Sequence, residues 1–253
     1  MIWPSETLWQ AIEPMLPGFS VEVLPEIDST NSELMRRARS GRTEPVLLVA
    51  ERQTAGRGRL GRSWLSAGDQ SLTFSLGLPL APVDWSGLSL AVGVSLAESL
   101  HPAIRLKWPN DLWLADRKLA GILIETASFG GREAQRYAVV GVGINIEAPA
   151  AAGLATPPAG LRELLPAIDR GETLLRVAAP LVQAVTVFAN LGFAAFQARF
   201  NARDALRDRA VVLSDGTAGT AHGTTEAGAL LVHTAGGMNT ITSAEVSVRP
   251  ASA

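Results

Sequence analysis

The chain has 253 residues, 47% of them hydrophobic and 18% charged, with a formal net charge of -2 and no cysteine. That composition is enough for a large domain plus a small one and excludes disorder. The missing cysteines exclude disulfides, thiolate metal sites and enzyme-bound thioesters, and the slightly negative charge excludes the general positive field of a non-specific nucleic-acid binder.

Met1-Ile2-Trp3-Pro4-Ser5-Glu6 lacks the basic start and apolar core of a signal peptide. No uninterrupted apolar run reaches bilayer-spanning length, so the expected location is cytoplasmic, with no membrane contact. Residues 5–16 read as a short helix ended by Pro17-Gly18, and residues 21–27 alternate like a strand. Asp28-Ser29-Thr30-Asn31 follows, where Thr30 with Glu33 matches a capping box for a helix running to Gly41. Residues 46–50 and 70–78 read as strands with a loop between them, and residues 87–100 as a helix. Strands are expected over residues 104–108, 111–114, 119–124 and 139–146, giving a central sheet flanked by helices.

Residues 147–158 are almost all Ala, Pro and Gly and read as a surface connection. Helices resume over residues 173–189, where Pro180 is expected to kink or break the helix, and over residues 192–200. After Leu206 come short apolar runs at residues 210–213, 229–232 and 245–248 between Gly and Asp turns, the pattern of a small β-barrel. The expected fold class is α+β: a catalytic domain over residues 1–205 with a central mixed β-sheet flanked by helices, then a small C-terminal barrel over residues 206–253.

The segment Gln53-Thr54-Ala55-Gly56-Arg57-Gly58-Arg59-Leu60-Gly61-Arg62-Ser63-Trp64 carries most of the chemical information. Its glycines let the backbone approach a ligand, and its arginines supply forked donors for phosphate or carboxylate. Gly56, Gly58 and Gly61 also match G-x-G-x-x-G, but the residues after Arg62 make a poor helix, and the dinucleotide fingerprint needs a helix N-terminus. An Arg-Gly nucleic-acid segment would be repeated within a basic chain. A plain solvated loop remains a sufficient reading of this segment taken alone.

Further on, Lys107-Trp108-Pro109-Asn110-Asp111 gathers polar residues at a turn, Lys118-Leu119-Ala120-Gly121-Ile122-Leu123 opens an apolar strand with a lysine, and Gly141-Val142-Gly143-Ile144-Asn145 closes the series. A hairpin with core tryptophans would account for much of the first of these three segments, and a plain buried strand for the second. Together with the Ser-Thr-Asn turn and the Gly-Arg-Gly-Arg loop, these ordered segments resemble the biotin protein ligase family, and the C-terminal strands resemble its SH3-like domain.

The resemblance implies ATP-dependent activation of biotin to biotinyl-AMP, then transfer to a lysine of a biotin carboxyl carrier protein. It implies biotin contacts from Ser29, Thr30, Asn31, Gln53, Gly56, Arg57, Gly58, Arg59, Lys118 and Gly121. Adenylate contacts fall to Arg59, Arg62, Trp64, Asn110, Asp111, Lys118 and Asn145, with Lys118, Arg57 and Arg59 as the catalytic cations. ATP and biotin are the implied small molecules, and magnesium comes with ATP near Asp111 rather than in a fixed protein site. His101, His222 and His233 lack metal-ligand spacing. The chain departs from the family pattern at Ala244, before Glu245-Val246-Ser247, and over residues 222–227, which lack the acidic turn expected there.

The alternatives are a lipoyl or octanoyl transfer enzyme of similar fold, which needs no partner for a ureido ring, and a regulatory nucleic-acid-binding module. Only 28 residues precede Ser29, too few for a winged helix-turn-helix, so a ligase without DNA binding is expected. An edge strand leaves open both acceptor pairing and a homodimer.

Overall fold

Strand β3 (Ser71–Leu80) places Leu72, Phe74, Leu76 and Leu78 on one face and Ser71, Thr73, Ser75 and Gly77 on the other. This alternation, apolar on one side and small or polar on the other, organises the molecule. The computed structural model describes residues 3–65, 68–128, 135–150, 156–242 and 248–250. The chain order is α1 (Ser5–Ile12), β1 (Ser20–Ile27), α2 (Thr30–Arg39), β2 (Val46–Gln53), β3, α3 (Leu88–Leu100), β4 (Arg105–Lys107), β5 (Asp111–Leu114), β6 (Arg117–Ser128) and β7 (Arg136–Asn145). Helices α4 (Arg170–Leu191) and α5 (Ala194–Arg203) follow, then strands β8 (Ala210–Leu213), β9 (Ala218–Thr224), β10 (Leu230–Thr234), β11 (Gly237–Ile241) and β12 (Val248–Pro250).

The first seven strands form one sheet in the order β1-β2-β3-β7-β6-β5-β4, parallel between β1 and β2 and antiparallel elsewhere. Its apolar face buries Leu72, Phe74, Val140, Val142 and Ile144 in a core shared with Val92, Val94 and Leu96 of α3 and Leu174, Val177 and Leu181 of α4. On the opposite face α2 packs Leu34, Met35 and Ala38 against Leu48, Tyr137, Val139 and Ala127. Burial at Tyr137 pushes its phenol up to about 12. The C-terminal strands form an antiparallel sheet in the order β11-β10-β9-β8-β12. Its Val211, Leu213, Leu230, Val232 and Val248 join the same core as α3 and α4, so the small sheet leans on the large one as its size requires.

Several expectations need correction. Ser29, not Thr30, caps α2: its backbone is extended and its side chain accepts from the Ser32 N–H, while Glu33 turns away to pair with Arg36 and Arg37. The first helix stops at Ile12, short of Leu16. Helix α4 runs unbroken through Pro180, because Val177, Ala178, Leu181 and Val182 are buried on both sides of it and hold the register. This helix is long and apolar enough to cross a membrane by length and composition, yet those residues lie in the core. Within the connection expected over residues 147–158, the described residues are exposed or half-buried except the last, Pro158, which is buried. The small sheet has two further strands, β9 and β11, whose Gly, Thr, His and Asn content hid them. The expected strand at 245–248 lies outside the described residues apart from Val248.

The two sheets meet where Trp108 Nε1 donates to the Gly228 carbonyl at 3.0 Å and Asp204 follows α5. One Asp204 oxygen accepts the Leu206 N–H at 2.9 Å, and the other is buried without a hydrogen-bond donor. Burial pushes this carboxyl up to about 6 from 3.8, opposed by the Leu206 bond. The folded state therefore holds its proton more tightly than the unfolded chain, so stability falls as pH rises from about 4 to about 6 and stays reduced above that window. Asp204→Asn is expected to raise the thermal midpoint near neutral pH, by up to about 3 kcal/mol of stability, less whatever solvent reaches the group. The gain vanishes near the unfolded pKa of 3.8. Thermal melts of both proteins across pH check this, and equal midpoints at neutral pH contradict it.

Candidate active site

Helix α2 covers only part of its sheet face, and beyond its N-terminus the face carries Thr73, Ser75, Gly121, Gly141 and Gly143. Small side chains there leave a cavity of about 240 Å³ between the sheet, the Asp28–Asn31 turn and the arginine loop. Two glycines are required by close approach. A Cβ on Gly141 would lie 2.1 Å from Asn31 Oδ1, and one on Gly143 would lie 2.4 Å from the Trp64 indole. Asn31 and Trp64 are thus seated directly on the sheet backbone.

The polar end is a hydrogen-bonded cluster. Gln53 Oε1 accepts the Thr30 N–H at 2.8 Å, Ser75 Oγ lies 2.7 Å from Thr30 Oγ1 and 2.6 Å from Asn31 Oδ1, and Asn31 Nδ2 donates to the Leu123 carbonyl and to Glu125. The turn is pinned from outside by Arg36, whose fork on Asp28 holds that carboxyl at about 2.

The arginine loop closes the cavity from above. Trp64 N–H donates to the Gly56 carbonyl, Gly58 N–H to the Arg62 carbonyl, and Arg57 bridges to Ser63, so the loop doubles back on itself. A single 3-10 turn at Arg59–Gly61 stands where a dinucleotide fingerprint needs a helix, which removes that reading. Arg57 pairs with Glu125 at 3.1 Å, and Arg59 Nη1 donates to Asn110 Oδ1 at 3.3 Å.

The other end is cationic. Lys118 Nζ sits 2.7 Å from Asp111 and 5.8 Å from the Trp64 ring centroid, and Lys107 lies 5.3 Å from that of Trp113. Burial pulls Lys107 below its ordinary pKa, Asp111 opposes the shift, and Lys118, Arg62 and Arg249 add to it. Burial likewise lowers Arg59, with Asp111 opposing and Arg62 adding. For both groups desolvation disfavours the charge more than Asp111 favours it. Asn145 stands behind Lys118 as a strut, its Nδ2 donating to the carbonyls of Lys118 and Ala159.

Of the residues singled out in the sequence, Ser29, Thr30, Asn31, Gln53, Arg57, Gly58, Arg59, Arg62, Trp64, Asn110, Asp111, Lys118, Gly121 and Asn145 all line this one cavity. Gly56 does not; it lies beneath the Trp64 backbone. Sequence reasoning gave no role to Ser75, Glu125, Lys107 or Arg249. Ser75 was visible as a polar step of period two in a buried strand, and Glu125 as an acid in an apolar one. Nothing local marks Arg249, which reaches the cavity from β12.

The Biotin/lipoate A/B protein ligase family profile matches residues 23–145, and the Biotin protein ligase C terminal domain matches residues 210–249. The chain is 37% identical over 251 residues to the bifunctional ligase/repressor BirA of Escherichia coli K12, across 93% of this chain and 76% of that protein. It is 33% identical over 239 residues to the biotin--[acetyl-CoA-carboxylase] ligase of Paracoccus denitrificans, across 88% and 98% respectively. The biotin protein ligase of Aquifex aeolicus, solved with biotin and ATP, superposes with a TM-score of 0.77 at 31% identity, across 91% of this chain and 99% of that one. With the five sequence segments converging on one cavity, these matches show that the chain belongs to the biotin protein ligase family.

Proposed function

We propose that this chain joins biotin to ATP through the cavity described above and then passes biotin to a lysine of a biotin carboxyl carrier protein. The observation that carries the reading is the polarity of the cavity: a hydrogen-bonding wall of small side chains at one end, and Lys107, Lys118, Arg59, Arg62 and Arg249 at the other, where Asp111 is the one lining carboxylate among the described residues. A ureido ring with two N–H donors and a carbonyl suits the first end, and a triphosphate suits the second. Biotin's carboxylate oxygen attacks the α-phosphorus, a new P–O bond forms, and the bond to pyrophosphate breaks. Two anions must meet, so the protein's contribution is positioning and positive charge. In the second step the carrier lysine's amine attacks the acyl carbon, AMP leaves, and the same cations stabilise the oxyanion.

Magnesium would arrive on the phosphates. Among the described residues no cluster of three metal-ligating side chains exists, and Asp111, the carboxylate nearest the cations, is held by Lys118. That donor set fits a metal carried by the nucleotide and brought near Asp111. When bound, the ion supplies further charge neutralisation of the phosphates. We assign catalysis to residues 1–205, with residues 206–253 closing the cation end through Arg249. A linear acyl chain has no N–H donors or ureido carbonyl to answer the polar end formed by Ser29, Thr30 and Gln53, which disfavours lipoyl or octanoyl transfer.

Incubating the chain with ATP, magnesium, biotin and a biotin carrier domain is expected to add one biotin to the carrier, read by intact mass, with no transfer when lipoate replaces biotin. Transfer of lipoate alone would assign the other chemistry. Lys118→Ala is expected to slow pyrophosphate release by about 10²–10³-fold with its fold intact, the typical effect of deleting one charge-stabilising donor; a folded variant at the original rate removes Lys118 from catalysis. The loop's three glycines cost entropy to hold, so biotin plus ATP is expected to protect the bonds after Arg57, Arg59 and Arg62 from trypsin. Equal cleavage with and without ligand rules that ordering out.

A further inference from the structure

The hydrogen-bond cluster behind the polar wall has a direction, and it can be worked out from the chemistry of each group. Leu123 O and the Glu125 carboxylate only accept, so the Asn31 amide must turn Nδ2 toward both, at 3.2 and 3.0 Å. Its Oδ1 then faces Ser75 Oγ at 2.6 Å, and an amide oxygen only accepts, so Ser75 spends its one proton there. Thr30 Oγ1 lies 2.7 Å from Ser75 Oγ, a distance typical of an O–H···O bond, and only Thr30 has a proton left to fill it. Gln53 Oε1, which accepts the Thr30 N–H at 2.8 Å, lies 3.1 Å from the same hydroxyl, longer than an ordinary O–H···O bond, so the 2.7 Å contact to Ser75 takes the proton.

We infer that Glu125, Asn31 and Ser75 form a proton-ordering relay that fixes the Thr30 hydroxyl as an acceptor toward the cavity, making Ser75 and Glu125 specificity-determining positioning residues that select a ligand N–H donor. The inference rests on the proposed biotin reading and deepens it, because a ureido ring offers N–H donors where a carboxylate, ester or plain acyl chain offers none. Ser75 is fully buried in β3 and does not line the cavity, so solvent does not compete for its proton. Glu125 also holds Arg57 through its other oxygen, so one carboxylate sets both the ligand-reading hydroxyl and the first arginine of the loop.

A double-mutant cycle on biotin affinity, measured by calorimetry, tests the relay. Ser75→Ala is expected to weaken biotin binding about 3- to 10-fold, the net worth of one ordered hydrogen bond, and to leave ATP affinity unchanged. In a Thr30→Val background, where no hydroxyl remains to orient, the same change is expected to cost nothing further. A structural role for Ser75 predicts the same loss in both backgrounds, and that result overturns the relay. So does unchanged biotin affinity in Ser75→Ala alone, or an equal loss for ATP. An unaltered chain that binds no biotin overturns the functional reading and the relay with it, whereas biotin binding with a non-coupled Ser75 overturns the relay alone.

Discussion

The structure depends on a sheet face that a helix covers only halfway. Apolar side chains on β2, β6 and β7 receive α2, while past its N-terminus the same face carries Ser75, Gly141, Gly143 and Gly121. A larger side chain at Gly141 or Gly143 would displace Asn31 or Trp64, and with them the start of α2 or the end of the arginine loop. The cavity is therefore built from what the strands omit. Its walls come from parts of the chain far apart in sequence, from the Ser29–Asn31 turn to Arg249.

Electrostatics follows from that enclosure. Burial makes Lys107 and Arg59 costly as cations, and Asp111, the one lining carboxylate among the described residues, works against that cost. The ion pair between Asp111 and Lys118 stops short of neutralising the end of the cavity, because Arg62 and Arg249 bear on the same region. This arrangement also explains why a chain without cysteine can carry out acyl activation. The activating group arrives with the nucleotide, and the protein stabilises charge.

The elements that recur in order were readable from sequence because they are local: strands of alternating pattern, the Gly-Arg-Gly-Arg loop, and the lysine entering β6. What escaped was set by tertiary contact. Thr30 looked like a helix cap, but its hydroxyl is recruited by Ser75 and its N–H by Gln53, so Ser29 takes the capping role. Pro180 looked like a break, but core packing on both sides carries the helix through it. Pro158 looked like surface, but it pairs beside Lys118 and fills the cavity wall. Strands β9 and β11 lack the apolar alternation that sequence reading needs, since half of their faces are exposed. In each case the local preference was read correctly and a distant partner overruled it.

One short segment ties the two sheets to the chemistry. Lys107-Trp108-Pro109-Asn110-Asp111 sends Trp108 back into the core, where its indole N–H holds Gly228, and sends Lys107, Asn110 and Asp111 forward into the cavity. Next to it, the Ala205 N–H donates to the Leu106 carbonyl, and Arg203 ties the end of α5 to the carbonyls of Pro102 and Ile104. The small sheet is thus docked against the backbone that aims the site's cations and its carboxylate. Its own strand β12 then returns Arg249 to the same cavity. A displacement of the C-terminal sheet would move Trp108 and Arg249 together and so alter the charge at this end of the cavity from both sides. The C-terminal sheet is therefore coupled to the cavity through both Arg249 and a core that runs continuously between the two sheets.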